Sequence, residues 1–212
     1  MQNILILGAN GRIACFAEQD LLAKTNYQLI YFLRNSSRLT IQNPNREQVI
    51  EGDATKVSDL ERALVGVDIV YANLAGKDIV QQAQAIVQAM QKQGIRRIYW
   101  VSSLGIYDEV PGAFGVWNNQ TLDGYLQPYA KAAAIIEAAP LDSTIIRPAW
   151  LTNQNEVNYE ITHKNEPFKG TEVSRKTVGV VISELIQNPQ KAINDSLGIN
   201  KPNTDGDKPA WY

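Results

Sequence analysis

Short apolar runs alternate with stretches of helical periodicity along most of the chain. The runs Ile69-Val70-Tyr71 and Ile98-Tyr99-Trp100-Val101 are apolar at consecutive positions, which is typical of parallel strands buried on both faces. Between them, apolar residues recur at helical spacing, and Gly94 follows as a stop signal. The pattern predicts strands at Asn3–Leu7, Gln28–Leu33, Gln48–Glu51, Asp68–Asn73, Arg97–Ser102 and Ser143–Arg147, and helices at Arg12–Lys24, Val57–Leu64, Asp78–Gln93 and Pro128–Ala139.

Repeated β-α-β units with short connections predict the fold class. We expect an α/β protein with a Rossmann-type doubly wound parallel sheet flanked by helices, in one domain spanning residues 1–212. The pattern is less regular after Pro148, and residues 147–212 are predicted to form a smaller C-terminal segment on the substrate side. We expect one more helix there, at Ser174–Gln187, and an irregular tail held by Trp211 and Tyr212.

A glycine-rich turn joins the first predicted strand to the first predicted helix. It reads Gly8-Ala9-Asn10-Gly11-Arg12-Ile13-Ala14. Glycines allow a tight turn and a close approach of the backbone to phosphates, and the helix N-terminus presents free N–H groups to an anion. The alternative is an ordinary turn between a strand and a helix. The context favours a dinucleotide site in which Gly8, Ala9, Asn10, Gly11, Arg12 and Ile13 hold the pyrophosphate.

The residues after the second predicted strand indicate which dinucleotide binds. An acidic residue there would bind the ribose 2′-hydroxyl of NAD, whereas basic residues suit the 2′-phosphate of NADP. The sequence has Arg34 and Arg38 with Ser36 and Ser37 between them, and no carboxylate in this segment. We therefore expect NADP(H) as the preferred cofactor, with NAD(H) as a possible one. The alternative is a solvated basic turn.

Two further segments belong to the predicted cofactor site. Asp53 and Ala54 follow the third strand, where Asp53 either contacts adenine or serves as a turn residue. The fourth predicted strand ends in Asn73, Leu74, Ala75 and Gly76. Small residues here either let the backbone lie against a ribose of the cofactor or form a plain turn.

Composition excludes several other functions. The net charge is −2 with no basic run, so we expect no nucleic-acid partner. One cysteine, Cys15, and one histidine, His163, predict no metal site. No segment reaches the roughly 20 apolar residues that span a bilayer, so we expect no membrane association. The expected protein is cytoplasmic, a monomer or a homodimer.

These motifs together resemble the atypical short-chain dehydrogenases/reductases, in particular the NAD(P)H-binding subgroup with NmrA-like proteins and the flavin reductase/biliverdin-IXβ reductase type. The resemblance covers nearly the whole chain. Besides the glycine turn it includes Leu33-Arg34-Asn35, Gly52-Asp53-Ala54, Val101-Ser102-Ser103-Leu104-Gly105-Ile106-Tyr107, Lys131 and Thr144-Ile145-Ile146-Arg147-Pro148.

The resemblance implies a catalytic serine and a Tyr-x-x-x-Lys pair. Ser103 matches the serine, with Ser102 as the neighbouring alternative, and Lys131 matches the lysine that holds the nicotinamide ribose. The tyrosine is missing, because Gln127 lies at its position. We take Tyr107 as the candidate proton donor, with Tyr125, Tyr129 and His163 as alternatives.

The missing tyrosine favours an acceptor that needs little acid catalysis. A flavin or a quinone takes hydride on a conjugated ring and can obtain its proton from water. We expect NADPH-dependent reduction of such a small acceptor, with a non-catalytic NAD(P)(H) sensor of NmrA type as the alternative and a nucleotide-sugar epimerase or dehydratase third. Residues 108–117 are predicted either as a mobile lid or as a loop anchored by Phe114 and Trp117, and Trp150 is expected in the same cleft.

Overall fold

The computed structural model describes residues 2–212, and its centre is an eight-stranded sheet in the order β3-β2-β1-β4-β5-β6-β10-β8. All of its neighbouring strands are parallel except β8, which is antiparallel to β10. The strands are β1 (Asn3–Leu7), β2 (Gln28–Leu33), β3 (Glu47–Glu51), β4 (Ile69–Ala72), β5 (Arg97–Val101), β6 (Asp142–Pro148), β7 (Trp150–Thr152), β8 (Glu160–Thr162), β9 (Glu172–Ser174) and β10 (Asp195–Asn200). The helices are α1 (Arg12–Lys24), α2 (Val57–Ala63), α3 (Ile79–Gln93), α4 (Gly112–Thr121), α5 (Leu126–Ala138) and α6 (Arg175–Gln187), with a short 3-10 helix at Ser36–Arg38.

Helices cover both faces of the sheet, and the alternation of side chains along β1 shows how. Ile4 and Ile6 point to the face covered by α1 and α6, whereas Leu5 and Leu7 point to the face covered by α2, α3 and α5. All four side chains are fully buried. Burial of each contributes about 1.5–3 kcal/mol relative to exposure, so the continuous apolar run stabilises both layers at once. The predicted doubly wound α/β fold is confirmed.

The strand order reverses direction at β1, which lies between β2 and β4. In open parallel sheets the connections diverge at such a point and leave a crevice at the carboxyl ends of the strands. The crevice of this protein is therefore at the edge where β1 meets the glycine turn.

The segment 108–117, for which we considered a mobile lid, is mostly helical. The helix α4 begins at Gly112, and Phe114 is buried, with Trp117 packed against the same core. The ring centroids of Phe114 and Trp117 are 6.1 Å apart. The anchored alternative is therefore correct, because two large aromatic side chains hold this segment against the core.

Four strands in the C-terminal part were missed, and β10 is the most important of them because it joins the central sheet beside β6. Its sequence contains only two large apolar residues, Leu197 and Ile199. The other positions are small or polar, and Ser196 is satisfied by the guanidinium of Arg147, whose Nε donates to Ser196 Oγ at 2.8 Å. The helix predicted at 174–187 is confirmed as α6, with Ser174 accepting a hydrogen bond from the Thr177 N–H as its N-cap.

No helix within residues 2–212 combines the length and apolarity needed to cross a membrane. Across the same residues, no group of three or more His, Cys, Asp or Glu side chains is arranged to hold a metal ion.

Candidate functional site

The glycine turn packs directly against the end of β4. Gly8 has a φ of +77°, and a Cβ on it would overlap the carbonyl oxygen of Asn73. A Cβ on Gly11 would overlap the side-chain amide of the same Asn73. The Gly8 N–H donates to the Phe32 carbonyl oxygen at 3.0 Å, which ties the turn to β2 as well. Both glycines are therefore required by close contacts, and the turn forms a shallow cradle at the N-terminus of α1.

A cavity of about 390 Å³ lies beside this turn, at the carboxyl ends of β1, β2, β3 and β4. Ten of the residues predicted to bind the cofactor line it, from four separate segments of the chain. They are Gly8, Asn10, Gly11, Arg34, Arg38, Asp53, Ala54, Asn73, Leu74 and Ala75, and the cavity is completed by Phe32, Leu33, Asn35, Gly52, Asp78 and Gln82.

Other predicted cofactor residues lie next to this cavity without lining it. Ala9 and Ile13 are buried below the turn. Ser36 donates its N–H to Glu51 Oε1 at 2.5 Å, and Ser37 donates both its N–H and its hydroxyl to Asn35. Hydrogen bonding by the Ser36 hydroxyl and, second, by the Ser36 N–H lowers the pKa of the Glu51 carboxyl.

Arg38 and Asn10 form a polar contact across the mouth of the cavity. In the amide orientation that satisfies both groups, Asn10 donates to the Arg38 carbonyl oxygen at 2.9 Å and accepts from Arg38 Nη2 at 3.1 Å. Arg34 and Arg38 are both exposed. The structure thus brings two guanidinium groups to one wall of the cavity, next to the end of β2.

Asp53 fulfils the turn role that we considered for it, and it also lines the cavity. Its Oδ1 accepts from the Thr55 N–H at 3.0 Å and from the Thr55 hydroxyl at 2.9 Å. The backbone hydrogen bond from Thr55, and next the one from its hydroxyl, lower the pKa of Asp53 below its usual value. The carboxylate is therefore charged at neutral pH, and its second oxygen has no side-chain partner within residues 2–212.

Gln82 was missed by sequence reasoning. It lines the same cavity from α3, and its Oε1 is buried without a hydrogen-bond partner in the described chain. A buried amide oxygen without a partner is costly unless a ligand or water satisfies it. Nothing in the sequence distinguishes Gln82 from the other glutamines of α3.

A second cavity, of about 400 Å³, lies at the ends of the next two strands along the same edge, β5 and β6. Ser102 and Ser103 line it, and the Ser102 Oγ is buried without a hydrogen-bond partner in residues 2–212. Trp150 lines it as expected. The remaining lining residues are Leu104, Leu122, Tyr125, Pro148, Ala149, Leu151, Arg175, Trp211 and Tyr212.

Aromatic side chains form much of the wall of this second cavity. The ring of Tyr212 lies 5.3 Å from that of Trp150 and 4.9 Å from that of Trp117, in edge-to-face geometry. Trp150 is fixed further, because its Nε1 donates to Asn118 Oδ1 at 2.9 Å. The C-terminal tail is thus held by its terminal aromatic residues, and the cavity presents flat apolar surfaces.

Two of the four candidate proton donors lie away from this cavity. The Tyr107 hydroxyl donates to Glu137 at 2.8 Å, and the Tyr107 ring faces Arg147 and Lys164. His163 is exposed and pairs with Asp195 at 2.7 Å. Neither residue lines either cavity, so the structure gives no support to Tyr107 as the proton donor.

The helix α5 carries the other two tyrosines and the predicted lysine. Tyr129 is buried, and its hydroxyl accepts from the Gly76 N–H at 3.1 Å. Tyr125 lines the second cavity, and its ring stacks on that of Tyr129 at 4.4 Å. Lys131 is exposed, two residues beyond Tyr129 and hence on the opposite side of the helix. Only Tyr125 of these three reaches the cavity that contains Ser103.

Comparison with known proteins agrees with this geometry. A family model described as NAD(P)H-binding matches residues 8–189, which include the glycine turn and the strands β2 to β6. No curated protein matches the chain.

Solved structures extend the similarity over the whole chain. A Rossmann-fold NAD(P)-binding family protein from Shigella flexneri is 41% identical, with 99% of this chain and 98% of that chain covered and a TM-score of 0.85. A short-chain dehydrogenase/reductase from Veillonella parvula, solved in complex with NADP, is 29% identical, with 99% of each chain covered and a TM-score of 0.91. An anaerobillin reductase from Escherichia coli O157:H7, ChuY, shares the fold at 19% identity, with 97% of this chain and 100% of that chain covered and a TM-score of 0.80. The protein therefore belongs to the NAD(P)H-binding family and has the Rossmann fold of the atypical short-chain dehydrogenases/reductases.

Proposed function

We propose that the protein is an NADPH-dependent reductase of a small conjugated acceptor such as a quinone or a flavin. One observation carries the proposal. The cavity at the glycine turn and the aromatic cavity follow each other along the carboxyl edge of one sheet, at β1 to β4 and at β5 and β6. A cofactor held in the first would extend its reactive end toward an acceptor in the second.

The first cavity fits a dinucleotide. Gly8 and Gly11 leave room where a Cβ would not fit, and Gly11, as N-cap of α1, has no side chain to block the first helical N–H groups. Those N–H groups, of Arg12 and Ile13, have no intrahelical partner and suit the pyrophosphate. The unpaired Gln82 Oε1 offers an acceptor for the amino group of the adenine.

The preference for NADP(H) rests on Arg34 and Arg38, which line the cavity beside β2. Guanidinium groups bind a phosphate bidentately, and the segment 34–38 contains no carboxylate. Of the carboxylates near this segment, Glu51 accepts the Ser36 N–H, and Asp53, which interacts electrostatically with Arg34, accepts the N–H and the hydroxyl of Thr55. The NADP complex of the Veillonella relative supports the same cofactor.

When bound, the cofactor supplies a hydride from its nicotinamide ring. The chain contributes orientation: the Ser102 hydroxyl, buried and unpaired, donates to an acceptor oxygen, and Ser103 lies next to it. Tyr125 provides a further hydroxyl at the cavity. A quinone or flavin needs no strong acid from the protein, which agrees with the exposed position of Lys131.

NADPH consumption tests the proposal directly. The purified protein is mixed anaerobically with NADPH and a panel of quinones and flavins, and absorbance at the nicotinamide band is followed. We expect turnover with at least one acceptor, and a kcat about 2- to 10-fold lower for Ser102→Ala, since one neutral hydrogen bond is lost. Ser58→Ala is the matched control, because Ser58 is exposed on α2.

A second function, a non-catalytic sensor of NAD(P)(H), is favoured by one observation. The chain has Gln127 at the tyrosine position, and Lys131 lies on the face of α5 opposite Tyr129. Tight NADPH binding without consumption across the whole panel would support the sensor and reject the reductase.

A further inference from the structure

Arg175 reaches the second cavity in a fixed orientation with donors to spare. Arg175 is the first residue of α6. Every hydrogen bond that its side chain donates within residues 2–212 comes from one nitrogen, Nη1. This nitrogen donates to the carbonyl oxygens of Leu151 at 3.1 Å and Thr152 at 3.2 Å and to Asn153 Oδ1 at 2.8 Å. The Nε and Nη2 donors are left for a ligand, and they form the edge of guanidinium that binds an anion bidentately.

A second guanidinium lies beside the first. Arg12 Nη2 donates to the same Asn153 Oδ1. In the part of the chain that the structure describes, neither Arg12 nor Arg175 has a carboxylate within 4.0 Å. Burial and, second, the charge of Arg12 lower the pKa of Arg175. Two cations that share one neutral acceptor leave positive charge uncompensated, and an incoming anion would remove that cost.

The cofactor accounts for one of these charges. Arg12 directly follows Gly11 at the start of α1, where the pyrophosphate is proposed to bind. Arg175 instead lines the second cavity with Tyr125, Trp150 and Tyr212. The positive charge of Arg175 therefore belongs to the acceptor side of the site.

We propose that the acceptor is an aromatic anion whose ring lies against Trp150 and Tyr212 and whose acidic group pairs with the Nε–Nη2 edge of Arg175. The inference deepens the proposed reductase function and depends on it only in calling the ligand an acceptor. The flat walls select a planar ring, and the oriented guanidinium selects a carboxylate, sulfonate or phosphate substituent. A neutral ring of the same size leaves the charge of Arg175 uncompensated.

The first test measures binding without turnover. The protein, saturated with NADP⁺, is titrated with 2-naphthoate and with 2-naphthamide, which share a ring and differ in charge, and tryptophan fluorescence is followed. Trp150 and Trp211 line the cavity and report occupancy. We expect naphthoate to bind at least about tenfold more tightly than naphthamide, as a charge-assisted hydrogen-bonded pair requires.

Variants assign that preference to Arg175. Arg175→Gln is expected to remove it while the Kd of naphthamide and of NADP⁺ stay unchanged, and Arg175→Lys, which keeps the charge, is expected to restore part of it. Arg96→Gln is the matched control, since Arg96 is an exposed arginine paired with Asp142. Equal binding of the two naphthalenes to the wild type would overturn the inference. A loss of NADP⁺ affinity in Arg175→Gln with the naphthoate preference intact would also overturn it, by assigning Arg175 to the cofactor.

The second test uses turnover with riboflavin and its phosphate ester FMN, which carry the same reactive ring. Arg175→Gln is expected to raise the KM for FMN and to leave that for riboflavin unchanged. If the protein consumes no NADPH but prefers naphthoate in a way that depends on Arg175, the anion site is supported and the reductase function is rejected. Turnover with equal KM for both flavins would support the reductase and reject the anion site.

Discussion

The guanidinium of Arg147 and the carboxylate of Glu109 form an ion pair of 2.5 Å in which the two side chains are 0% and 5% exposed. The same carboxylate accepts the N–H of Gly105 and the N–H of Tyr107, each at 3.0 Å. Glu109 thereby fixes the loop that follows Ser102 and Ser103, and Arg147 keeps its charge compensated. The pair connects the loop after β5 to β6.

Removal of Arg147 is expected to destabilise the fold strongly. In Arg147→Met the Glu109 carboxylate stays buried without its counter-charge, and the free energy of unfolding should fall by about 3–5 kcal/mol. Urea denaturation followed by far-UV circular dichroism measures the change. Arg96→Met breaks the exposed pair with Asp142 and should cost less than about 1 kcal/mol. Similar losses in the two variants would contradict the role assigned to the buried pair.

A substitution in the glycine turn is expected to lower both the stability of the fold and the affinity for NADPH. Gly8→Ala places a methyl group against the Asn73 carbonyl oxygen at a positive φ, so we expect a loss of about 1–3 kcal/mol and NADPH affinity at least about tenfold lower. Gly66→Ala is the matched control, because Gly66 has a φ of +73° with open space where its Cβ would be. It should show only the backbone strain of about 1 kcal/mol and normal NADPH binding. Fluorescence titration and thermal denaturation give the two readouts.

The central sheet and the first cavity were predictable from the sequence because their signals are local. A strand such as Ile98-Tyr99-Trp100-Val101 is apolar throughout since it is buried on both faces, and the glycine turn lies within a few residues of its strand and helix. The strand β10 gave no such signal, because Ser196 in it is satisfied by Arg147 from a distant strand. Arg175 was missed for the same reason: only the packing of α6 against α1 brings it to Arg12.

Sequence spacing did not predict where the side chains of the candidate proton donors lie. Tyr107 follows Ser103 closely in sequence, yet the loop after β5 turns its hydroxyl to Glu137, away from both cavities. Tyr125 comes from α5 and reaches the cavity only because that helix packs beside the sheet. Side-chain direction in a loop depends on contacts such as these, which no local pattern in the sequence encodes.

Arg34 provides the test of cofactor preference. Arg34→Ala removes one charge-assisted interaction with a 2′-phosphate, so NADPH should bind about 10- to 100-fold more weakly, while the Kd of NADH stays unchanged. Titration followed by nicotinamide fluorescence measures both constants. Arg96→Ala, at an exposed arginine outside both cavities, should change neither. An equal loss for NADPH and NADH would remove the basis for the NADP(H) preference.

Glu18 gives the protein an unusual pH dependence of stability. Burial against the sheet, and second the charge of Glu47, raise its pKa from 4.5 to about 8. Because the unfolded chain releases this proton at lower pH than the folded one, stability should decrease as the pH rises from about 4.5 to about 8, with a slope of at most ~1.4 kcal/mol per pH unit. Asp53 and Asp142, whose pKa values are lowered, act in the opposite sense but at pH values below this range. Urea denaturation across the range should therefore show a decline in the wild type that is absent in Glu18→Gln, and parallel profiles would show that Glu18 ionises normally in the fold.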